Sequence, residues 1–118
     1  MACVGADWDV RLTSAAEADF RSIIDWTADR FGEEQAETYA GVVAAAIEAL
    51  SDGPKIIGVK RRVDIDDGIY TLSVARSGHK GRHLITFCVA DDGEPQTIYV
   101  LRILHDAMDI QRHLPSRQ

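Results

Sequence analysis

The groups with which this chain could do chemistry are its four histidines and thirteen Lys or Arg side chains, and three of the histidines fall in two basic places. Arg76, His79, Lys80, Arg82 and His83 crowd one stretch; Arg102 and His105 stand three residues apart near the C-terminus. Metal-free RNA cleavage needs a base at the 2′-hydroxyl, cations against the developing phosphorane charge, and an acid for the leaving oxygen. His105 with Arg76, Arg82 and Arg102 contains those residue types. Against this, Asp106 follows His105 and would repel phosphate. The plainer reading of His105 is structural, with a bond to Asp109 four residues on or to a helix-end backbone group. Arg102 stands in an otherwise apolar run, so it needs a site or an ion-pair partner, such as an Asp of the last segment. The 76–83 cluster reads either as a face for an anionic partner or as a solvated hairpin tip.

Other chemistries find no footing. There is no Gly-rich phosphate loop and no Gly-x-Ser-x-Gly. Cys3 and Cys88 match no metal or redox spacing, and Asp64, Asp66 and Asp67 lack the distant Glu of a calcium loop. No metal and no cofactor are expected. The formal net charge of −6 argues against a surface made for nonspecific nucleic-acid binding. The charge is uneven, however: residues 55–83 carry an excess of +4 and the rest −10. A basic middle suits a localised anionic partner, or equally a sheet edge guarded by Lys and Arg. No apolar run approaches a membrane span, and no secretory signal is visible, so the cytoplasm is the expected compartment.

The elements that must hold these groups follow from periodicity. Trp8–Leu12 alternates as a strand. Ser14 with Glu17 fits a capping box, predicting a helix to about Asp29 or Arg30 with Ala16, Phe20, Ile23, Ile24, Thr27 and Phe31 as its apolar stripe. Gly32 breaks the pattern with a left-handed cap. A second helix carries Ala36, Tyr39, Ala40, Val43, Ile47 and Leu50 and stops at Ser51-Asp52-Gly53-Pro54; its alanines allow close approach in a two-helix hairpin. A basic connector, 55–62, leads to strands at 69–74, 83–89 and 97–104, the last apolar enough to be buried on both faces. Residues 106–113 read as a short closing helix. The expectation is one α+β domain over 1–118, β-α-α-β-β-β-α, with the helical hairpin on a small antiparallel sheet.

Three strings in this order resemble the RelE/ParE toxin superfamily. They are Trp8-Asp9-Val10-Arg11-Leu12-Thr13 with Ala16-Glu17-Ala18-Asp19-Phe20; Phe31-Gly32-Glu33-Glu34-Gln35-Ala36 with Tyr39; and Ile98–Leu104 followed by His105, Met108, Asp109 and His113-Leu114. The ending is similar to that of the ParE branch. The resemblance implies a toxin of a type II toxin–antitoxin module, with DNA gyrase as target, growth arrest as outcome and a ParD-like antitoxin as partner. Target contacts would then come from Arg76, His79, Lys80, Arg82, His83, Arg102 and His105. Antitoxin anchors would come from Phe20, Ile24, Tyr39, Val43 and Ile47. Two alternatives stay open: a RelE-type mRNA endonuclease using His105, Arg102, Arg82 and Arg76, and a non-toxic binding or repressor partner of an antitoxin.

Overall fold

A computed structural model describes residues 8–62, 68–75, 81–90 and 96–105. Strand β1 (Asp9–Leu12) runs into helix α1 (Ser14–Phe31), and α2 (Glu33–Ala49) follows, ending in a 3-10 turn at Leu50–Asp52. Four strands come next: β2 (Val59–Arg61), β3 (Tyr70–Ser73), β4 (His83–Ala90) and β5 (Thr97–His105). They form one sheet in the order β1-β5-β4-β3-β2. The β2-β3-β4-β5 part is antiparallel, as expected, but β1 pairs with β5 in parallel, so the sheet is mixed. The expected connector at 55–62 contains β2, a short basic edge strand. Edge strands of this kind are kept short and charged, which hides their alternation. The expected closing helix at 106–113 lies outside the described residues.

The first helix starts one residue earlier than the capping box implies. Thr13, not Ser14, is the N-cap: its hydroxyl oxygen accepts from the Ala16 amide at 3.1 Å. The same hydroxyl donates to the Leu101 carbonyl at 2.9 Å, tying the helix start to β5. That tertiary bond favours Thr13 over its neighbour. At the far end, Gly32 takes φ +95° and donates its N–H to the Ala28 carbonyl, a backbone few other residues adopt. The hairpin then turns without a linker. Phe31, expected on the apolar stripe, is 65% exposed and packs edge-on against Trp26 on the outer face instead.

One core joins hairpin and sheet. Ala16 and Ile23 of α1, and Val43 and Ala46 of α2, meet Leu72, Ile85, Phe87, Ile98, Val100 and Ile103. Each large aliphatic or aromatic side chain buried there contributes about 1.5–3 kcal/mol. The spacing along β5 breaks step: Ile98 and Val100 reach this core, then Ile103 rather than residue 102. The register shows why. Phe87 pairs with Val100 and Thr86 with Arg102, so Leu101 is an extra residue, a β-bulge. A bulge turns every following side chain over and tightens the local twist. Dual-face burial therefore holds only for part of β5: Tyr99 is exposed, while Ile103 and Leu104 are both buried. No helix among the described residues is long and apolar enough to cross a membrane.

Candidate functional site

The bulge has its main consequence at Arg102. Strand β1 ends at Leu12, paired with Val100, so beyond that point β5 has no β1 neighbour, and helix α1 passes by instead. Asp19 of α1 fills the gap. Its Oδ2 accepts from Arg102 Nε at 2.6 Å and from the Ile103 amide at 3.0 Å, while Oδ1 accepts from Arg102 Nη2 at 2.8 Å. One carboxylate thus closes a sheet edge and forks with a guanidinium. The hydrogen bond that Arg102 donates to Asp19, the largest influence, raises the Arg102 pKa above its ordinary value; burial opposes this, and the Asp19 charge adds to it. The expected ion-pair partner, an Asp of the last segment, lies outside the described residues; among those described, Asp19 of α1 takes the role. A signal for Asp19 was present in the sequence: residues 16, 19, 23 and 27 follow helical spacing, so this carboxylate interrupts the buried side of α1.

Around this pair opens a cleft of about 450 Å³ between α1 and the ends of β4 and β5. Ser22, Ile23 and Trp26 form its helical wall; Ile103 and Leu104 line the strand side, and His83 and His105 join Arg102 there. His83 and His105 are direct cross-strand partners, with ring centres 5.5 Å apart and planes at 85°. From the hairpin, the Tyr39 hydroxyl meets His83 Nδ1 at 2.7 Å. Trp26, half exposed, carries the Arg30 guanidinium 5.1 Å from its ring centre, a cation–π contact beside the opening.

Gly81 makes the Tyr39 contact possible. A Cβ at that position would lie 2.6 Å from Val74 Cγ2 and 2.7 Å from the Tyr39 hydroxyl. Gly81→Ala should therefore cost about 2 kcal/mol through overpacking and push Tyr39 off His83. Urea unfolding checks the first effect, and the ring-nitrogen resonances of His83 check the second. An unchanged midpoint with unchanged resonances would show that the strand yields freely.

Of the residues expected to face a target, the structure gathers His83, Arg102 and His105 in one cleft. Arg82 is exposed at the entry to β4 and does not line it. Arg76, His79 and Lys80 lie outside the described residues. Asp19, Ser22 and Trp26 are the members of this site that periodicity did not single out.

The expected antitoxin anchors divide differently. Phe20 and Ile47 line a second groove, about 370 Å³, with Trp8, with Val10 and Leu12 of β1, and with Ala44 and Glu48 of α2. Ile24 is partly buried against the core. Tyr39 is engaged with His83. Val43 is fully buried between hairpin and sheet, so it cannot be an anchor without opening the core; its helical spacing marked the inner face, not the outer one.

This arrangement of helical hairpin and five-stranded sheet accompanies a family match along most of the chain. Residues 10–110 match the ParE toxin family of type II toxin–antitoxin systems, parDE. The chain belongs to that family. It is 36% identical over 104 residues to Toxin ParE1 of Mycobacterium tuberculosis, covering 87% of this chain and 94% of the relative. Toxin ParE of Escherichia coli is 33% identical over 106 residues, covering 90% and 92%. Among solved structures, the fold is similar to a chain of the chromosomal ParDE toxin–antitoxin system from P. aeruginosa, with a TM-score of 0.58 at 19% identity over 86% of this chain and 98% of that one. It is also similar to a chain of the RelBE2 toxin–antitoxin complex from Mycobacterium tuberculosis, at 0.53 and 21% over 87% and 95%. The RelE/ParE fold expected from the sequence is the fold observed, with β1 parallel and β2 added.

Proposed function

We propose that this toxin acts in the cytoplasm as a noncatalytic inhibitor of DNA gyrase, arrests growth, and is held inactive by a cognate ParD-like antitoxin. The observation that carries the noncatalytic reading is the fork between Arg102 and Asp19. A cation meant for a phosphorane must be free to meet new negative charge. Arg102 already faces a carboxylate in the same cleft, and that carboxylate repels a phosphate brought close. What remains is a shaped surface with Trp26, His83 and His105 at its mouth, suited to grip a protein. Membership of the ParE family supports gyrase as that protein.

The groove formed by β1 and the hairpin supports the antitoxin's place. Its apolar walls, Trp8, Val10, Leu12, Phe20 and Ile47, suit an amphipathic helix that inserts side chains at helical spacing. The P. aeruginosa ParDE and M. tuberculosis RelBE2 relatives come from toxin–antitoxin assemblies, which favours the same pairing here.

A supercoiling assay with purified gyrase and antitoxin-free toxin tests the reading. Saturating toxin should suppress supercoiling, and added antitoxin should restore it. Normal supercoiling at saturating toxin would end the proposal. New mRNA cleavage ends on induction, lost in His105→Ala, would place the chain with the nucleases instead.

A further inference from the structure

The groove between β1 and the hairpin is apolar along its walls and acidic at one end. Val10, Leu12, Phe20, Ala44 and Ile47 supply the walls, and Glu48 is the charged residue among its lining. We propose that the helix this groove takes is basic, with a Lys or Arg set against Glu48, a second about three turns away against Glu37, and apolar residues between them. This rests on the groove's being the antitoxin's seat and adds the chemistry by which that partner is chosen.

The charge of α2 is one-sided. It holds Glu33, Glu34, Glu37 and Glu48 and no Lys, Arg or His. Glu48 lies in the last turn, where the open carbonyls of a helix end carry partial negative charge and favour a cation. The last turn of α2 supplies none, and Asp52 follows in the 3-10 turn. The Glu48 carboxylate is exposed and forms no ion pair among the described residues. Arg11 of β1 does not offset it, because its guanidinium is held by Asp9 at 2.6 Å. Side chain, helix end and Asp52 therefore all favour positive charge at this end of the groove.

Spacing along α2 places the second contact. Residues 37, 41, 44 and 48 share one stripe of the helix, and each is exposed. Glu37 and Glu48 stand about 16 Å apart along the axis. Between them Gly41 and Ala44 allow a second helix to come within roughly 8–10 Å, axis to axis. A Cβ on Gly41 would meet nothing within 4 Å, so the space above it is open. The groove is also held in shape: the Trp8 N–H donates to the Ser51 carbonyl at 2.9 Å, fixing the β1 wall to the end of α2. A second copy of this chain does not suit the stripe, since its own α2 would bring four more carboxylates against it.

Isothermal titration of the full-length toxin with its purified cognate antitoxin tests this. Glu48→Lys should weaken binding about tenfold at low salt, and the loss should shrink as ionic strength rises. Glu37→Lys should weaken it about threefold. Asp29→Lys makes the same charge change on an exposed part of α1 outside the groove and should leave affinity unchanged. Reversing the facing Lys or Arg of the antitoxin to Glu should restore binding to Glu48→Lys. Ala44→Phe, which fills the groove from an exposed position, separates this inference from the reading beneath it. Antitoxin binding that survives Ala44→Phe would remove the antitoxin from the groove and overturn both. Binding lost in Ala44→Phe but unchanged in Glu48→Lys would overturn the basic partner alone. Equal losses in Glu48→Lys and Asp29→Lys would overturn it as well, by showing a response to net charge. An antitoxin-free toxin that sediments as a dimer, and as a monomer in Ala44→Phe, would give this face to a second copy and overturn the proposal.

Discussion

Asp19→Ala should lower the unfolding free energy by about 3 kcal/mol and the midpoint of thermal unfolding by roughly 10 °C. The side chain is only 15% exposed and Arg102 only 24%, so neither group can regain full hydration in the folded state. Three bonds are lost at once: two to the guanidinium and one to the Ile103 amide. Breaking a fully buried ion pair costs about 3–5 kcal/mol, and the residual exposure of this one puts it at the low end. The cost is for stranding the partners rather than a measure of what the pair adds. A double variant, Asp19→Leu with Arg102→Leu, should thus recover much of the loss, because a matched apolar pair leaves no charge unpaired. Urea unfolding of Asp19→Leu, Arg102→Leu and the double variant closes the cycle. A loss in Asp19→Ala below about 0.5 kcal/mol, the range of a surface pair, would mean that the fork is solvent-like and that the site argument built on it fails.

The core is expected to respond more strongly still. Phe87→Ala should cost about 4 kcal/mol, since Phe87 is fully buried and a cavity would replace it. Its ring also stacks on Tyr70, with centres 5.6 Å apart and planes at 17°. Domains of this size hold only about 5–15 kcal/mol in reserve. The variant should therefore sit near its unfolding threshold, with a greatly lowered urea midpoint or loss of near-ultraviolet circular dichroism at 37 °C. Phe31→Ala is the control: same chemistry, 65% exposure, and an expected change of about 0.5 kcal/mol or less. Equal effects at the two positions would refute the burial assignment of α1 and β4 together.

These two positions also mark how far the linear pattern can be read. Phe31 continues the apolar spacing of α1, yet it is exposed and packs edge-on against Trp26 rather than into the core. Val43 has the spacing of an exposed anchor and of a core residue alike, and only its neighbours in space separate the two. The strands behaved similarly. The apolar strings at 69–74, 83–89 and 97–104 marked β3, β4 and β5 closely, because burial selects their composition. Three-residue β2 is too short and too basic to alternate visibly. The shift from Ser14 to Thr13 at the helix start depended on a carbonyl 88 positions away.

Periodicity and turn residues were enough to mark two helices joined at Gly32, β1 before them and three of the four strands after them; the resemblance to the family rested on three short strings. Those features are local: each depends on residues within a few positions of one another. The cleft is not local. It needs β1 to lie parallel to β5 and to stop early, Leu101 to be squeezed out of register, and Asp19 to arrive from a helix 83 residues upstream of Arg102. Tyr39 must likewise cross 44 residues to reach His83. A sequence pattern carries the phase of each element but neither its neighbour nor an extra residue in its pairing. Arg102 and His105 could therefore be singled out as residues needing an explanation, while the carboxylate that occupies one and the imidazole that faces the other were settled by packing.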